Sequence, residues 1–196
     1  MKLSGIPNLP GPHNRQNAAV ASLACWTLGV GFALIEDALH TFPGLAHRME
    51  PLPEQDGVRF FNDSKATNAD ATAPALSSFE RVHWIAGGLP KEGGIEPLRP
   101  LFGRVTRAYL IGEAAPQFAA TLGDTVPYEI SGNLNEAVKR AAQNAREDGG
   151  GVVLFSPAAA SFDQFCNFEE RGEAFRAAVA GLADGGMAGV REGEQA

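Results

Sequence analysis

From Val58 onward, short apolar and β-branched runs alternate with longer stretches of helical composition, and this alternation constrains the fold more than any other feature of the chain. Val58 to Phe61, Val82 to Ala86, Val105 to Ile111, Val126 to Ile130 and Gly151 to Phe155 read as strands. Helices fit between them at Ala69 to Phe79, Glu96 to Phe102, Ala115 to Leu122 and Leu134 to Glu147, with a closing helix from about Asn167 to Ala183. Such an order requires crossover connections, and right-handed crossovers build a mostly parallel sheet with helices on both faces. The expected fold is α/β and Rossmann-like.

The residues before Val58 lack this rhythm. Pro7, Pro10, Gly11 and Pro12 are expected to keep a helix from starting before Asn14. An Ala-rich helix then runs to about Leu28, and a second covers roughly Leu34 to Thr41 before Pro43-Gly44. Two helices alone bury little, so residues 1–45 read as the trailing helical part of a preceding domain. A Pro-containing link at 46–57 leads to the Rossmann-like domain at 58–183, and the Gly- and Glu-rich tail at 184–196 is expected to be flexible. The uncharged run Ala18 to Ile35 is rich in small residues and interrupted by Gly29 and Gly31. It reads as a buried helix and a turn rather than a membrane span or a signal segment.

A chain of 196 residues can bury a core of its own. Its net charge of −7, with signs interspersed, argues against nucleic acid or an anionic membrane as the main partner, while a local basic pocket for a nucleotide remains open. Cys25 and Cys166 lack metal-ligand spacing and read as free thiols of a cytoplasmic protein.

The densest chemistry lies in Asn62-Asp63-Ser64-Lys65-Ala66-Thr67-Asn68, on a strand-to-helix turn. In parallel α/β sheets, ligands bind at such places, beside strand carboxyl ends and helix amino ends. Asp63 could cap the following helix or accept ribose hydroxyls. Lys65 and Thr67 lie where a carboxylate or phosphate would be welcome. Asn14 could cap the first helix, although Asn14 and Asn17, three apart, could also match the donor and acceptor edge of adenine. Arg48, in the link, reads as a solvated charge or hinge ion pair. Gly87 to Gly94 could be only a flexible turn, but it carries Lys91, one of four lysines, at a strand carboxyl end. Ser156-Pro157-Ala158-Ala159-Ala160-Ser161-Phe162-Asp163-Gln164-Phe165, followed by Asn167-Phe168-Glu169-Glu170-Arg171-Gly172, occupies another such end. Phe162, Phe165 and Phe168 could equally be ordinary core residues, and the helix dipole suffices to explain Glu169 and Glu170.

The stretches at 62–68 and 156–172 resemble those of the Mur ligases of peptidoglycan synthesis, and within that family the D-glutamate-adding branch. The resemblance implies that Asn14 and Asn17 lie against the adenine of ATP, that Arg48 reaches its phosphates or ribose, and that Asp63 and Lys65 belong to the ATP side. It places Thr67, Lys91, Ser161, Phe162 and Phe168 around D-glutamate and leaves His13 structural. Family members often carry an aspartate where this chain has Leu89-Pro90 before Lys91, and a leucine where it has Phe162. The implied reaction adds D-glutamate to UDP-N-acetylmuramoyl-L-alanine through an acyl phosphate, with ATP and Mg²⁺. A P-loop needs Gly-Lys followed by Ser or Thr, and Lys2, Lys65, Lys91 and Lys139 all fail that pattern. The resemblance therefore implies the end of an ATP-binding central domain plus a C-terminal domain. Catalytic residues and metal ligands would lie outside this chain, which is expected to be silent alone. A sister Mur ligase, a folylpolyglutamate synthetase fragment and a non-catalytic nucleotide- or amino-acid-binding module are the alternatives.

Overall fold

Alternate side chains of the central strands point to opposite faces of the sheet and divide the core into two layers. The computed structural model describes Ile6, Leu9 and residues 11–185. It opens with α1 (Pro12–Thr27) and α2 (Phe32–Thr41), followed by β1 (Glu50–Gln55), β2 (Val58–Asn62), α3 (Ala69–Ser77) and β3 (Val82–Gly87). A 3₁₀ segment (Glu96–Arg104), β4 (Val105–Ile111), α4 (Ala115–Leu122), β5 (Tyr128–Gly132), α5 (Leu134–Glu147), β6 (Gly151–Phe155) and α6 (Phe168–Gly185) complete it.

The six strands form one sheet in the order β1-β2-β6-β3-β4-β5. β1 is antiparallel to β2 and every other pairing is parallel. Along β6, Val152 and Leu154 join the layer that includes α3, the 3₁₀ segment and α4, where Leu76, Phe102 and Phe118 are buried. Val153 and Phe155 face the other layer, packed against Val138 and Ala142 of α5 and Phe175 of α6. Helices therefore cover both faces, as the alternation requires.

β6 enters last and inserts between β2 and β3. Connections running outward from β2 to β5 use one face, and the return through α5 uses the other. The carboxyl ends of β2, β6 and β3 consequently meet at the crevice where the winding reverses.

Several elements differ from the sequence expectation for identifiable reasons. α1 starts at Pro12, not Asn14, because the first helical position needs no N–H donor. Gly11 is its N-cap, so Asn14 is not the cap; it is buried in the first turn. α2 begins at Phe32, two residues early. The segment Pro51 to Pro53, read as a link, belongs to an edge strand, a place that tolerates proline. The run expected at Val126 to Ile130 is displaced to Tyr128–Gly132, after Pro127, which has no N–H for the ladder. Glu96–Arg104 is 3₁₀ rather than α, because Pro97 and Pro100 remove donors from any continuous α ladder. The helix within the uncharged run is buried only at Ala18 and Ser22: Val20, Leu23 and Trp26 are exposed, as are Leu28, Phe32 and Leu34 beyond it. Among the described residues no helix is long and apolar enough to cross a membrane. Beyond Gly185, the expected flexible tail lies outside the described residues, as do Pro7 and Pro10.

Candidate functional site

A cavity of about 270 Å³ opens between α1, the loop before β1, the turn after β2, and α3. Asn14 and Asn17 reach it from the first turns of α1, Arg48 from the loop, and Asp63 and Lys65 from the turn; Pro74 and Ala75 of α3 form an apolar wall. Five residues read separately from the sequence as nucleotide-facing thus line one space. The cavity also includes His13, Met49 and Ala66, which the sequence reading had not assigned to a ligand.

Asp63 is held from two sides. Its Oδ1 accepts the Met49 N–H at 3.1 Å and its Oδ2 accepts the Ser156 hydroxyl at 2.8 Å. Burial raises its pKa from 3.8 to about 6, while the bonds from Ser156 and Met49 and the charge of Arg48 pull it down. Asp63 does not cap α3: Asn68 does, accepting the Ala71 N–H at 2.8 Å. Burial, aided by Arg48, lowers the pKa of His13 and favours its neutral form.

Arg48 sits between two residues in the left-handed region, His47 at φ 59° and Met49 at φ 47°. Surrounding contacts hold this unusual turn. The His47 N–H donates to Glu50 Oε2 at 3.0 Å, and its carbonyl accepts the Lys65 N–H at 3.0 Å. Its ring lies against Gly172, where a Cβ would be 2.1 Å from His47 Nδ1. Only glycine fits there.

The residues read as facing D-glutamate are not gathered into a single cavity. Lys91 is exposed and lines a second depression, of about 490 Å³, with Asn68, Asp70 and Glu92. Thr67 is half-buried just before that helix start, whereas Ser161 is buried. Phe162 is 69% exposed and covers little. Leu89 and Ala160 exchange two backbone hydrogen bonds, of 2.9 and 3.0 Å, tying the Lys91 loop to the one bearing Ser161. Phe168 is half-buried at the start of α6, its ring centroid 3.9 Å from Lys65 Nζ.

Arg171, quoted in the late motif but given no role, is the principal residue the sequence reading missed. It is 1% exposed. Its guanidinium donates to the Ser64 carbonyl at 2.9 Å, the Ser64 hydroxyl at 3.1 Å, and the carbonyls of Ala159 and Ala160, each at 3.1 Å. One side chain thereby fixes the turn after β2 to the loop after β6. Burial lowers its pKa to about 10, so it stays charged at neutral pH. A signal existed: a cation in the first turn of a helix opposes the macrodipole and needs another reason to be there. Among the described residues, no group of three or more His, Cys, Asp or Glu is arranged to hold a metal.

A mostly parallel sheet that reverses its winding beside a cavity lined by charged and amide side chains defines an α/β domain with a candidate ligand site, and residues 47–159 match the family model described as Mur ligase, glutamate ligase domain. The chain belongs to that family. It is 63% identical over 182 residues to the UDP-N-acetylmuramoylalanine–D-glutamate ligase of Mesorhizobium japonicum and 61% identical to that of Agrobacterium fabrum, covering 92% of this chain in each case. It spans about two-fifths of the length of these relatives, 39%. Among solved structures, the UDP-N-acetylmuramate-alanine ligase MurC of Thermotoga maritima shares the fold, with a TM-score of 0.64 at 17% identity over 90% of this chain and 39% of its own. MurF of Acinetobacter baumannii does likewise, at 0.59 and 20% over 85% of this chain and 38% of its own.

Proposed function

We propose that this chain is the amino-acid-delivering part of an ATP-dependent ligase that adds D-glutamate to UDP-N-acetylmuramoyl-L-alanine in peptidoglycan precursor synthesis. The observation that carries the nucleotide half of this reading is the convergence of Asn14, Asn17, Arg48, Asp63 and Lys65 on one cavity. Asn14 and Asn17 offer amides to the adenine edge, Asp63 accepts ribose hydroxyls, and Arg48 and Lys65 meet the phosphates. Relatives bearing that enzyme's name, at 63% and 61% identity, support the choice of substrate.

In the reaction proposed, the acceptor's carboxylate takes the γ-phosphoryl group of ATP and ADP departs. The amine of D-glutamate then attacks the acyl carbon, loses a proton and expels phosphate. Mg²⁺ would neutralise phosphate charge during the transfer. Lys91, Thr67 and Ser161 would hold D-glutamate's carboxylates, with Phe162 and Phe168 at the rim. Their part is to position the amine rather than to break bonds.

On this reading residues 1–45 would belong to the ATP-binding central domain and 46–49 to the hinge, while β1, paired with β2 in the sheet, would join 58–183 in the C-terminal domain. The enzyme would work in the cytoplasm, where its nucleotide substrates are. Because the sequence has no P-loop pattern, this chain alone should release no ADP from ATP, acceptor and D-glutamate together. Labelled protein titrated with D-glutamate should show NMR shifts around Thr67, Lys91 and Ser161. An equal response to L-glutamate would sink the assignment of substrate.

A further inference from the structure

The Lys65 side chain is exposed, and no ion pair holds it among the described residues. A lysine in that situation ordinarily samples many rotamers and presents no fixed charge. Here its ammonium stands 3.9 Å from the centroid of the Phe168 ring. We propose that Phe168 is a positioning residue for the nucleotide cavity, aiming the Lys65 ammonium at an anionic phosphate, rather than chiefly a wall for the amino acid. This rests on the nucleotide reading of the cavity given above.

Phe168 and Lys65 are anchored by the same neighbours. The Phe168 carbonyl accepts the Ser64 hydroxyl at 2.8 Å, and Ser64 directly precedes Lys65. The Lys65 N–H donates to the His47 carbonyl at 3.0 Å, while the His47 ring meets the Phe168 ring edge-on, 6.3 Å between centroids at 78°. Arg171, one turn along α6 from Phe168, grips the Ser64 carbonyl at 2.9 Å. Ring and lysine backbone are thus tied to the same neighbours, which places the ring face beside the ammonium.

An aromatic ring suits this task better than a carboxylate. A carboxylate would neutralise the lysine and compete with an anionic ligand, whereas a ring face attracts the cation through its quadrupole and leaves the charge in place. The ammonium's N–H donors directed away from the ring remain available to phosphate oxygens. One face of the ring is thus committed to Lys65, leaving only the opposite face or the edge for an amino acid.

The test uses the 196-residue chain with ¹³C-labelled lysine, in which only four lysines report. In the wild type, Lys65 Hε should resonate upfield of the other three through the ring current, and Phe168→Leu should abolish that displacement. Phe168→Leu should weaken ADP binding about three- to tenfold, with Phe168→Tyr and Phe168→Trp restoring it. Adding Phe168→Leu to Lys65→Met should cost nothing further if the ring acts through the lysine. The proposal is overturned by an unshifted Hε in the wild type, by ADP affinity unchanged in Phe168→Leu, or by that variant losing D-glutamate shifts while keeping ADP. A wild-type chain that binds no ADP overturns the nucleotide reading and this role with it. Intact ADP binding without a Phe168 effect overturns this role alone.

Discussion

The two helices that open the chain and the six-stranded domain behind them bury themselves in opposite ways. β3 is buried at every position, whereas α1 buries only Asn14, Ala18 and Ser22. Leu28 is 84% exposed, and Trp26 stacks on Phe32 with centroids 5.7 Å apart in a patch open to solvent. Yet the polar cavity draws on both regions, because α1 supplies its two asparagines and the sheet domain supplies Asp63 and Lys65. A segment that adds little to the domain's core can still supply one side of its site.

The contrast can be broken or sharpened by measurement. The largest effect belongs to Arg171: Arg171→Met leaves buried carbonyls of Ser64, Ala159 and Ala160 without that donor and should cost about 3–5 kcal/mol in urea unfolding. A loss below about 1 kcal/mol would show that the two loops hold themselves together.

Next comes Asp63, on the seam between the regions. Between its ordinary 3.8 and about 6, the folded chain keeps a proton that the unfolded chain has released. Stability should therefore fall as pH rises through that window, by up to ~3 kcal/mol, and level off above it. Asp63→Asn should remove this contribution to the slope; an unchanged profile would place the titration elsewhere.

His83 gives the opposite sign inside the sheet domain. Burial lowers its pKa despite Asp148 nearby, and its Nδ1 lies 3.1 Å from the Tyr109 hydroxyl. The unfolded chain takes up a proton first as pH falls, so acidification through about 6.5 removes stability. Imidazole NMR should show His83 titrating below the ordinary histidine value of 6.5; a midpoint above it would contradict its burial.

The smallest effect is expected on α1. Leu23→Ser should change stability by about 0.5 kcal/mol or less, since it removes a side chain that is 59% exposed. A cost of several kcal/mol would mean that the helix is integral to the core.

Legibility followed the range of the forces involved. β2, β3, β4 and β6 were readable because β-branched runs declare themselves locally, and α5 because its apolar spacing repeats along one face. β1 was not, since Pro51 and Pro53 suppress every local strand signal and its partner β2 supplies the pairing. Asn14, Asn17, Arg48, Asp63 and Lys65 were selected through the resemblance of their motifs, Arg48 wholly so, but their convergence was not legible: Asn14 and Lys65 are brought together only by tertiary packing. Arg171 stood out only by its place against the helix dipole, and its partners were opaque because three of its four acceptors are backbone oxygens, which a side-chain motif does not spell. The exposure of Phe162 was equally invisible, as an aromatic residue read in sequence carries a presumption of burial.

The two rims of the sheet differ in what they would accept from another chain. β1 lacks amide donors at Pro51 and Pro53, which makes that rim a poor template for an added strand. β5, at the opposite rim, has no proline and shows Tyr128 and Ile130 to solvent at 42% and 57%. If concentrated or heated protein associates by adding strands, growth should begin at β5 and run from one side only.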